Sequence, residues 1–236
     1  GLMVTSITSG QIISRTGHYK IFMQVGIVVA TIMVFAMSTL TPESTYLFEA
    51  VLMVLLGAGL GVVMPVMNLA VQNEFKQHDL GVATSSSQLF RSLGSTVGVA
   101  VFGAMLTAGL ASGLNGVGND SYVKMLSGNE QVQQYGDLSK SDTLLNLNMP
   151  QTKEEITTGF EKNIEQLPAA ERDRAQQRFD DAQSDFSYEV THAFSDSLQH
   201  IFRISAVLML VAAVLVFMIK EKPLRAASTE QTPGAE

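Results

Sequence analysis

Four long stretches of this chain are almost free of charge. They comprise residues 21–40, 46–72, 92–112 and 201–219. Only two charged side chains fall inside them, Glu49 and Arg203, and each lies close to one end of its stretch. A helix of about 20 residues spans roughly 30 Å, the thickness of the hydrocarbon layer of a membrane. The pattern therefore predicts an all-α membrane protein with four full transmembrane helices, and the apolar residues 1–13 indicate the end of a fifth.

The chain opens on Gly1, within an apolar segment that no basic residue precedes. A secretory signal peptide would carry such a basic region. We therefore expect the sequence to be the C-terminal part of a longer protein, with the missing N-terminal half as its partner. The predicted organisation is transmembrane helices over 1–112, a hydrophilic loop over 113–197, the last transmembrane helix over 198–219 and a tail over 220–236 that is expected to be disordered.

The acidic excess of the chain is confined to one segment. Residues 113–197 hold fifteen acidic and seven basic side chains, whereas the whole chain has 22 and 15. No basic stripe follows any predicted helix, so a nucleic acid is not an expected partner. The sequence has no cysteine and its four histidines are scattered, so no metal site is predicted. It also lacks a Walker loop, a nucleophile elbow and an HExxH motif, so neither an enzyme nor a cofactor is expected.

Basic residues fall in alternate short connections between the predicted helices. They lie in the loops 14–20 and 73–81 and in the tail, as Arg15, Lys20, Lys76, Lys220, Lys222 and Arg225. The turn at 41–45 has none. Because basic short loops tend to stay in the cytoplasm, the pattern predicts a cytoplasmic C-terminus and places the segments 41–45 and 113–197 outside.

Helical periodicity returns in the second half of the hydrophilic loop. Residues 113–150 are rich in Gly, Ser and Asn and are expected to be flexible, whereas Thr152 and Glu155 fit a capping box. After Pro168, apolar side chains recur every three or four residues, at Ala175, Phe179, Ala182, Phe186, Val190, Phe194, Leu198 and Phe202. That stripe predicts a helix that runs unbroken into the last span. It fits either an extension packed on its own loop or a helix that docks on a partner.

Polar side chains inside the predicted spans form two faces. The first holds Asn68 and Gln72, one helical turn apart. The second follows helical spacing on the next span, whose helix is expected to begin near Leu80, and it holds Thr84, Gln88, Arg91 and Ser95. Buried polar groups are costly in lipid, so Asn68, Gln72, Gln88 and Arg91 are the predicted substrate pathway or gate, and the two faces are expected to oppose each other. Arg91 has a second interpretation, in which it snorkels to the cytoplasmic headgroups.

Small residues form the other pattern in the spans. Gly57, Gly61 and Pro65 share one helical face, and Gly94 and Gly98 share another. Small residues at this spacing let helix backbones approach closely, and a proline inside a helix removes one hydrogen bond. These five residues are therefore predicted to serve helix packing or to form a hinge.

Two blocks of sequence resemble the major facilitator superfamily. The first is similar to its G-x-x-x-D-R-x-G-R-R cytoplasmic loop and runs Gly10-Gln-Ile-Ile-Ser14-Arg15-Thr-Gly17-His18-Tyr19-Lys20. Ser14 stands in place of the acid, and His18 and Tyr19 in place of the final bases. The second block covers residues 59–106, with Pro65, Gln72-Asn73, Asp79-Leu80-Gly81, Ala83-Thr84, Arg91, Gly94 and Gly98 in the family's order. With the long outer loop and short tail, the blocks resemble the 14-helix drug:proton antiporters of the EmrB/QacA type.

This resemblance implies the C-terminal part of a major-facilitator helical bundle with a partly helical extracytoplasmic loop. It implies a multi-pass protein of the bacterial cytoplasmic (inner) membrane that exports amphipathic drugs or toxic compounds in exchange for protons. The implied partners are the lipid bilayer, a small amphipathic substrate, protons and, as a further candidate, a periplasmic adaptor. By this resemblance the cytoplasmic loop motif consists of Gly10, Arg15, Gly17 and Lys20.

Two other functions remain open at this point. One is a transporter of a metabolite with the same fold. The other is a membrane sensor whose 113–197 loop binds a ligand, which would require that loop to fold by itself. The polar stripe inside the membrane favours transport, because a sensor gives these side chains no role.

Overall fold

The computed structural model describes residues 1–127, 136–138 and 140–220, with the side chain of Asn119 left aside. The described helices are α1 (Leu2–Thr16), α2 (Lys20–Met37), α3 (Tyr46–Glu74), α4 (Leu80–Gly113), α5 (Ser121–Ser127), α6 (Ser141–Leu147), α7 (Pro150–Ile164) and α8 (Ala169–Met218). The tail that we expected to be disordered lies outside the described residues beyond Lys220.

Four of the described helices are long and apolar enough to cross a membrane. They are α2, α3, α8 and the segment Gln77–Gly113, which joins a short 3-10 turn to α4. In hydrocarbon a helix satisfies its own backbone hydrogen bonds, so long apolar sequences take this form. The predicted all-α membrane fold is confirmed, and the helix predicted to begin near Leu80 begins at that residue.

The chain divides into two compact units. Unit 1 comprises Gly1–Leu40, Ser44–Ala100 and, among the described residues, 202–220. Unit 2 comprises Thr41–Glu43 and Val101–Ile201.

Unit 1 is built around α3, which packs against both α1 and α2. The closest approach between α2 and α3 is made by two glycines. A Cβ added to Gly26 would lie 2.9 Å from the Gly59 carbonyl oxygen, and one added to Gly59 would lie 2.9 Å from the Ala30 backbone nitrogen. Ala30 is completely buried at this crossing. Backbone-to-backbone packing of this kind supplies dispersion contacts that larger side chains would prevent.

The other face of α3 meets the start of α1. Gly57 lies against Leu2, and a Cβ on Gly61 would overlap the Leu2 carbonyl and the Thr5 hydroxyl. The Thr5 hydroxyl lies 3.0 Å from the Ala58 carbonyl oxygen, to which it can donate a hydrogen bond. Pro65 lies inside α3 and has no N–H for the Gly61 carbonyl, which is its usual helical acceptor. This face therefore combines small residues with a polar contact between helices.

Unit 2 has a hydrophobic core of its own, formed by side chains from α5, α6, α7 and α8. Its fully buried aromatic residues are Tyr122, Phe179 and Phe186. The Tyr122 ring centroid lies 5.5 Å from that of Phe179 and 5.1 Å from that of Phe186. Gln183 donates from Nε2 to the Tyr122 hydroxyl at 2.9 Å. The phenol is thus buried with its polar end satisfied, as such groups require.

The expected flexibility of 113–150 is wrong for the described part of that segment. A 3-10 turn and helices α5 and α6 occupy most of it, and Leu126, Leu144 and Leu147 enter the core. The residues 128–135 and 139 lie outside the described residues. Apolar side chains at helical spacing within a polar composition explain this folding, because three or four of them suffice to anchor one short helix.

Two helices, α7 and α8, were predicted in the second half of the 113–197 loop. The prediction is confirmed for α8, but the predicted start of α7 is wrong. The stripe after Pro168 does form one continuous helix, α8, and Phe179, Ala182, Phe186 and Val190 pack into the core of unit 2. The capping box was wrong. The helix α7 begins two residues before Thr152, at Pro150, and the buried Thr152 hydroxyl donates to Asn146 Oδ1 at 3.1 Å.

Replacing Gly59 with valine should destabilise the packing of α3 on α2. The valine side chain has no room between Gly26 and Ala30, and overpacking of this kind costs about 1–3 kcal/mol. Circular dichroism of the chain in micelles, followed as SDS is added, should show an earlier loss of helix for Gly59→Val than for the unchanged chain.

Gly94→Val is the matched control, because nothing lies within 4 Å of a Cβ at that glycine. Both variants place the same β-branched residue inside an apolar helix, so they share the loss of helix propensity. Equal SDS midpoints for the two variants would contradict the packing described here.

Alkaline pH should destabilise unit 2 through Tyr122. Burial raises the pKa of the Tyr122 hydroxyl above its ordinary value, and the hydrogen bond from Gln183 partly offsets this rise. The folded state therefore holds the neutral phenol, and stability falls as pH rises past the ordinary tyrosine pKa of about 10. The thermal midpoint of the chain should drop between about pH 9 and about pH 11, and Tyr122→Phe should flatten this dependence.

Tyr188→Phe removes an exposed phenol from the same unit and serves as the control. It should keep the alkaline dependence of the unchanged chain. A flattened profile in Tyr188→Phe, or an unaltered one in Tyr122→Phe, would show that the buried phenol is not the cause.

Candidate functional site

The polar side chains of α3 point away from its packed face. Val66 is buried in the core of unit 1, whereas Asn68 and Gln72 are exposed. The helix uses its glycines and Val66 for packing, so the amides at 68 and 72 occupy the remaining side. In a membrane, a side chain amide on such a face needs protein, water or a headgroup as a partner.

The four polar residues that the sequence singles out on α4 lie opposite a set of exposed apolar side chains. Successive residues in an α-helix are about 100° apart, so Thr84, Gln88, Arg91 and Ser95 fall within a sector of about 60°. The exposed apolar residues on the other side are Val82, Leu89, Leu93 and Val97. This division fits a membrane helix that faces lipid on one side and protein or water on the other.

α4 has little protein around it within this chain. Of the residues in its most apolar window, 6% are buried, compared with 33% in α2 and 22% in α3. Gly94 and Gly98 have no atom within 4 Å of an added Cβ, and Gln88 and Arg91 are exposed. The two predicted polar faces are therefore not packed together as we expected. Each stands open within the described chain.

Hydroxyl groups and longer polar groups differ in how they are satisfied in α4. The Thr96 hydroxyl donates to the Ser92 carbonyl at 3.0 Å, and the Ser85 hydroxyl to the Val82 carbonyl at 3.1 Å. Such bonds to the preceding turn need no partner outside the helix. The side chains of the four predicted pathway residues make no hydrogen bond or ion pair within the part of the chain that the structure describes. They are thus the side chains that require an external partner.

The cytoplasmic loop motif forms a tight connection between α1 and α2. Gly17 ends α1 in the left-handed conformation with φ of 74°, and its N–H donates to the Ile13 carbonyl at 2.8 Å. Glycine adopts this conformation without strain, which allows α2 to begin three residues later. Arg15 is exposed, Lys20 opens α2, and Gly10 lies where an added Cβ meets nothing within 4 Å.

Tyr19 is the member of this loop that the sequence did not single out. It is only 3% exposed and packs with Ile13, Met23 and Val66 in the core of unit 1. The resembled motif has a basic residue here, whereas this chain has a buried ring that ties the loop to α3. A tyrosine between two helix ends was the available signal, since its large apolar ring is usually buried.

No group of three His, Asp or Glu side chains is placed to hold a metal ion among the residues that the structure describes. The site therefore consists of polar side chains on membrane helices. Such a surface can bind and release a solute or relay a charge.

Comparison with known proteins connects this fold with transport. An uncharacterized MFS-type transporter of Mycobacterium tuberculosis is 40% identical over 105 residues, which is 44% of this chain and 15% of that protein. The multidrug transporter protein MdtP of Bacillus subtilis is 37% identical over 107 residues, or 45% of this chain and 20% of its own length. A tetracycline resistance determinant of Streptomyces rimosus is 23% identical over 99% of this chain and 62% of its own length.

These relatives support the resemblance to the major facilitator superfamily (MFS) and a multi-pass membrane protein. The aligned part spans less than two thirds of each of the three relatives. No family model matches the chain. No solved structure matches it either.

Proposed function

We propose that this chain is the C-terminal portion of a 14-helix secondary transporter that exports amphipathic drugs or toxic compounds in exchange for protons. The observation that carries the proposal is the polar stripe of α4, which has Arg91 and Gln88 exposed opposite an apolar face. A helix in the middle of a transporter needs this division, because it borders lipid and a water-filled pathway at once.

The names of the relatives favour export over the other two functions. MdtP is named a multidrug transporter, and the Streptomyces rimosus protein a tetracycline resistance determinant. Neither name points to a metabolite transporter or to a sensor. We extend drug export to this chain as part of the proposal, together with proton exchange as the driving reaction.

The four pathway residues are assigned two tasks. Asn68 and Gln72 offer amide donors and acceptors to a solute from the end of α3. Gln88 and Arg91 do the same from α4, where Arg91 lies roughly 16 Å along the helix from Leu80. The guanidinium keeps its charge throughout the cycle, so its attraction to a carboxylate in the rest of the protein can hold a gate closed until substrate or protons compete. Gly57, Gly61, Pro65, Gly94 and Gly98 provide the close packing and the hinge on which such a gate moves.

The proposal also fixes an orientation in the bacterial inner membrane. The loops 14–20 and 73–81 and the C-terminus lie in the cytoplasm, and the segment 113–197 lies outside. Spans occupy 1–112 and 198–219, and the outer segment is available to a periplasmic adaptor. The rest of the protein supplies the acidic residues that bind protons.

Arg91→Ala in the whole protein should reduce drug export about tenfold or more while leaving membrane abundance unchanged. Loss of a buried charge-assisted contact costs a factor of this order. The measurement is efflux of a fluorescent dye from membrane vesicles or proteoliposomes under an imposed pH gradient, with proton movement recorded in parallel. Arg91→Lys should retain part of the activity, because it keeps the charge but not the planar fork.

Lys76→Ala removes the same charge from the exposed loop that precedes α4 and is the matched control. It should export dye at the normal rate. Undiminished export by the Arg91→Ala variant would contradict the role proposed for this arginine. Export that persists without any pH gradient, and moves no protons, would leave a transporter but remove the proposed coupling.

A further inference from the structure

The turn between α2 and α3 is part of unit 2. Its residues Thr41–Glu43 group with Val101–Ile201 and not with the two helices that they connect. One contact within this unit is between Glu43 and His192 of α8, whose Nε2 lies 2.8 Å from Glu43 Oε1. This pair of ionisable side chains links the turn to α8.

The geometry of this contact makes it depend on charge. The His192 Nε2 atom is buried, and its alignment with Glu43 falls short of a hydrogen bond. A neutral imidazole gains little from such a contact, whereas an imidazolium gains the full attraction of a carboxylate at 2.8 Å. The Glu43 side chain is 61% exposed, so water is available to replace the partner when the attraction is lost.

The groove that His192 lines carries acidic side chains and no lysine or arginine. The imidazole packs on the Tyr188 ring with centroids 4.0 Å apart. It lines a groove of about 890 Å³ in unit 2 whose other ionisable members are Tyr188, Glu189, Asp196 and His200, all on α8. The groove lining from α4 and from residues 115–117 has no ionisable side chain, and the lining includes no Lys or Arg. An imidazolium here therefore faces carboxylates and no fixed cation.

Glu43 stays ionised over the range in which histidines change charge. Its own backbone N–H, the Thr41 side chain and the His192 charge hold the pKa of its carboxyl below the ordinary value of 4.5, against a small opposing effect of burial. A histidine ordinarily gains its proton between about pH 8 and about pH 5. Between these limits, the proton on the imidazole is the variable that decides whether the pair is ionic.

We propose that Glu43 and His192 form a proton-binding clasp that fastens the α2–α3 turn to α8 at mildly acidic pH and releases it at alkaline pH. The proton is the ligand, and the buried imidazole nitrogen is its binding atom. The attraction exists below the pH at which the imidazole loses its proton, and it disappears again only where Glu43 itself becomes protonated. The clasp does not depend on drug export, and it would operate whatever solute the protein moves.

The test uses the natural absence of cysteine from the chain. Pro42→Cys and Ser184→Cys introduce spin labels on exposed residues of the turn and of α8 without changing any charge. Pulsed electron–electron double resonance should give one narrow distribution of label-to-label distances at about pH 5.5. At about pH 8 the distribution should be broader and shifted to longer distances. The ratio of the two populations should change about threefold, since partly exposed ion pairs have modest strength.

Three further variants separate the clasp from a general effect of pH. Glu43→Gln and His192→Gln should each abolish the change in the distance distribution, and high salt should weaken it in the unchanged chain. His200→Gln, which removes another groove imidazole two turns away, should retain the change. Glu43 is exposed, so its variant tests the clasp even where His192→Gln fails to fold. A distribution that is the same at both pH values, or a shift that persists in Glu43→Gln, would overturn the proposal.

Discussion

Hydrocarbon offers the polypeptide backbone no hydrogen-bonding partner, and this constraint decides the form of the apolar stretches. Each of them becomes a helix that satisfies its own N–H and C=O groups. Once the backbone hydrogen bonds are satisfied, the side chains determine which helices pack together. The glycines of α3 allow α1 and α2 to approach its backbone closely, whereas α4 has no such contact at Gly94 or Gly98. The two helices therefore represent a packed and an open element of one bundle.

The same constraint sorts the polar side chains. Serine and threonine bond back to the preceding turn of their own helix, as Ser85 and Thr96 do, and so require nothing else. An amide or a guanidinium has too many donors for that solution. Gln88 and Arg91 must therefore obtain partners from outside α4, and a pathway that admits water, protons and polar solutes is one source of them.

Much of the fold was predictable because one property, hydropathy, determines it. The predicted spans, the start of α4 at Leu80 and the continuity of α8 are consequences of local patterns. Contacts between distant residues were not predictable in this way. The Gly26–Gly59 crossing and the burial of Tyr19 depend on which helix faces which. The core of unit 2 adds Tyr122 and Leu144, from a segment expected to be flexible, to Phe186 of the predicted stripe. The capping box failed because Thr152 makes a tertiary hydrogen bond instead. For the predicted pathway, the spacing of the polar residues indicates which of them share one face of α4. It does not indicate which groups their side chains contact.

We propose that the polar stripe of α4 borders an aqueous pathway while the other side of the helix borders lipid. Single cysteines in the whole protein test this most directly, because the chain has none of its own. A charged thiol reagent applied to membrane vesicles should label Gln88→Cys and Ser95→Cys, spare Leu89→Cys and Leu93→Cys, and label the first pair less in the presence of a transported drug. Equal labelling of both pairs, or labelling of the apolar pair alone, would contradict the claim.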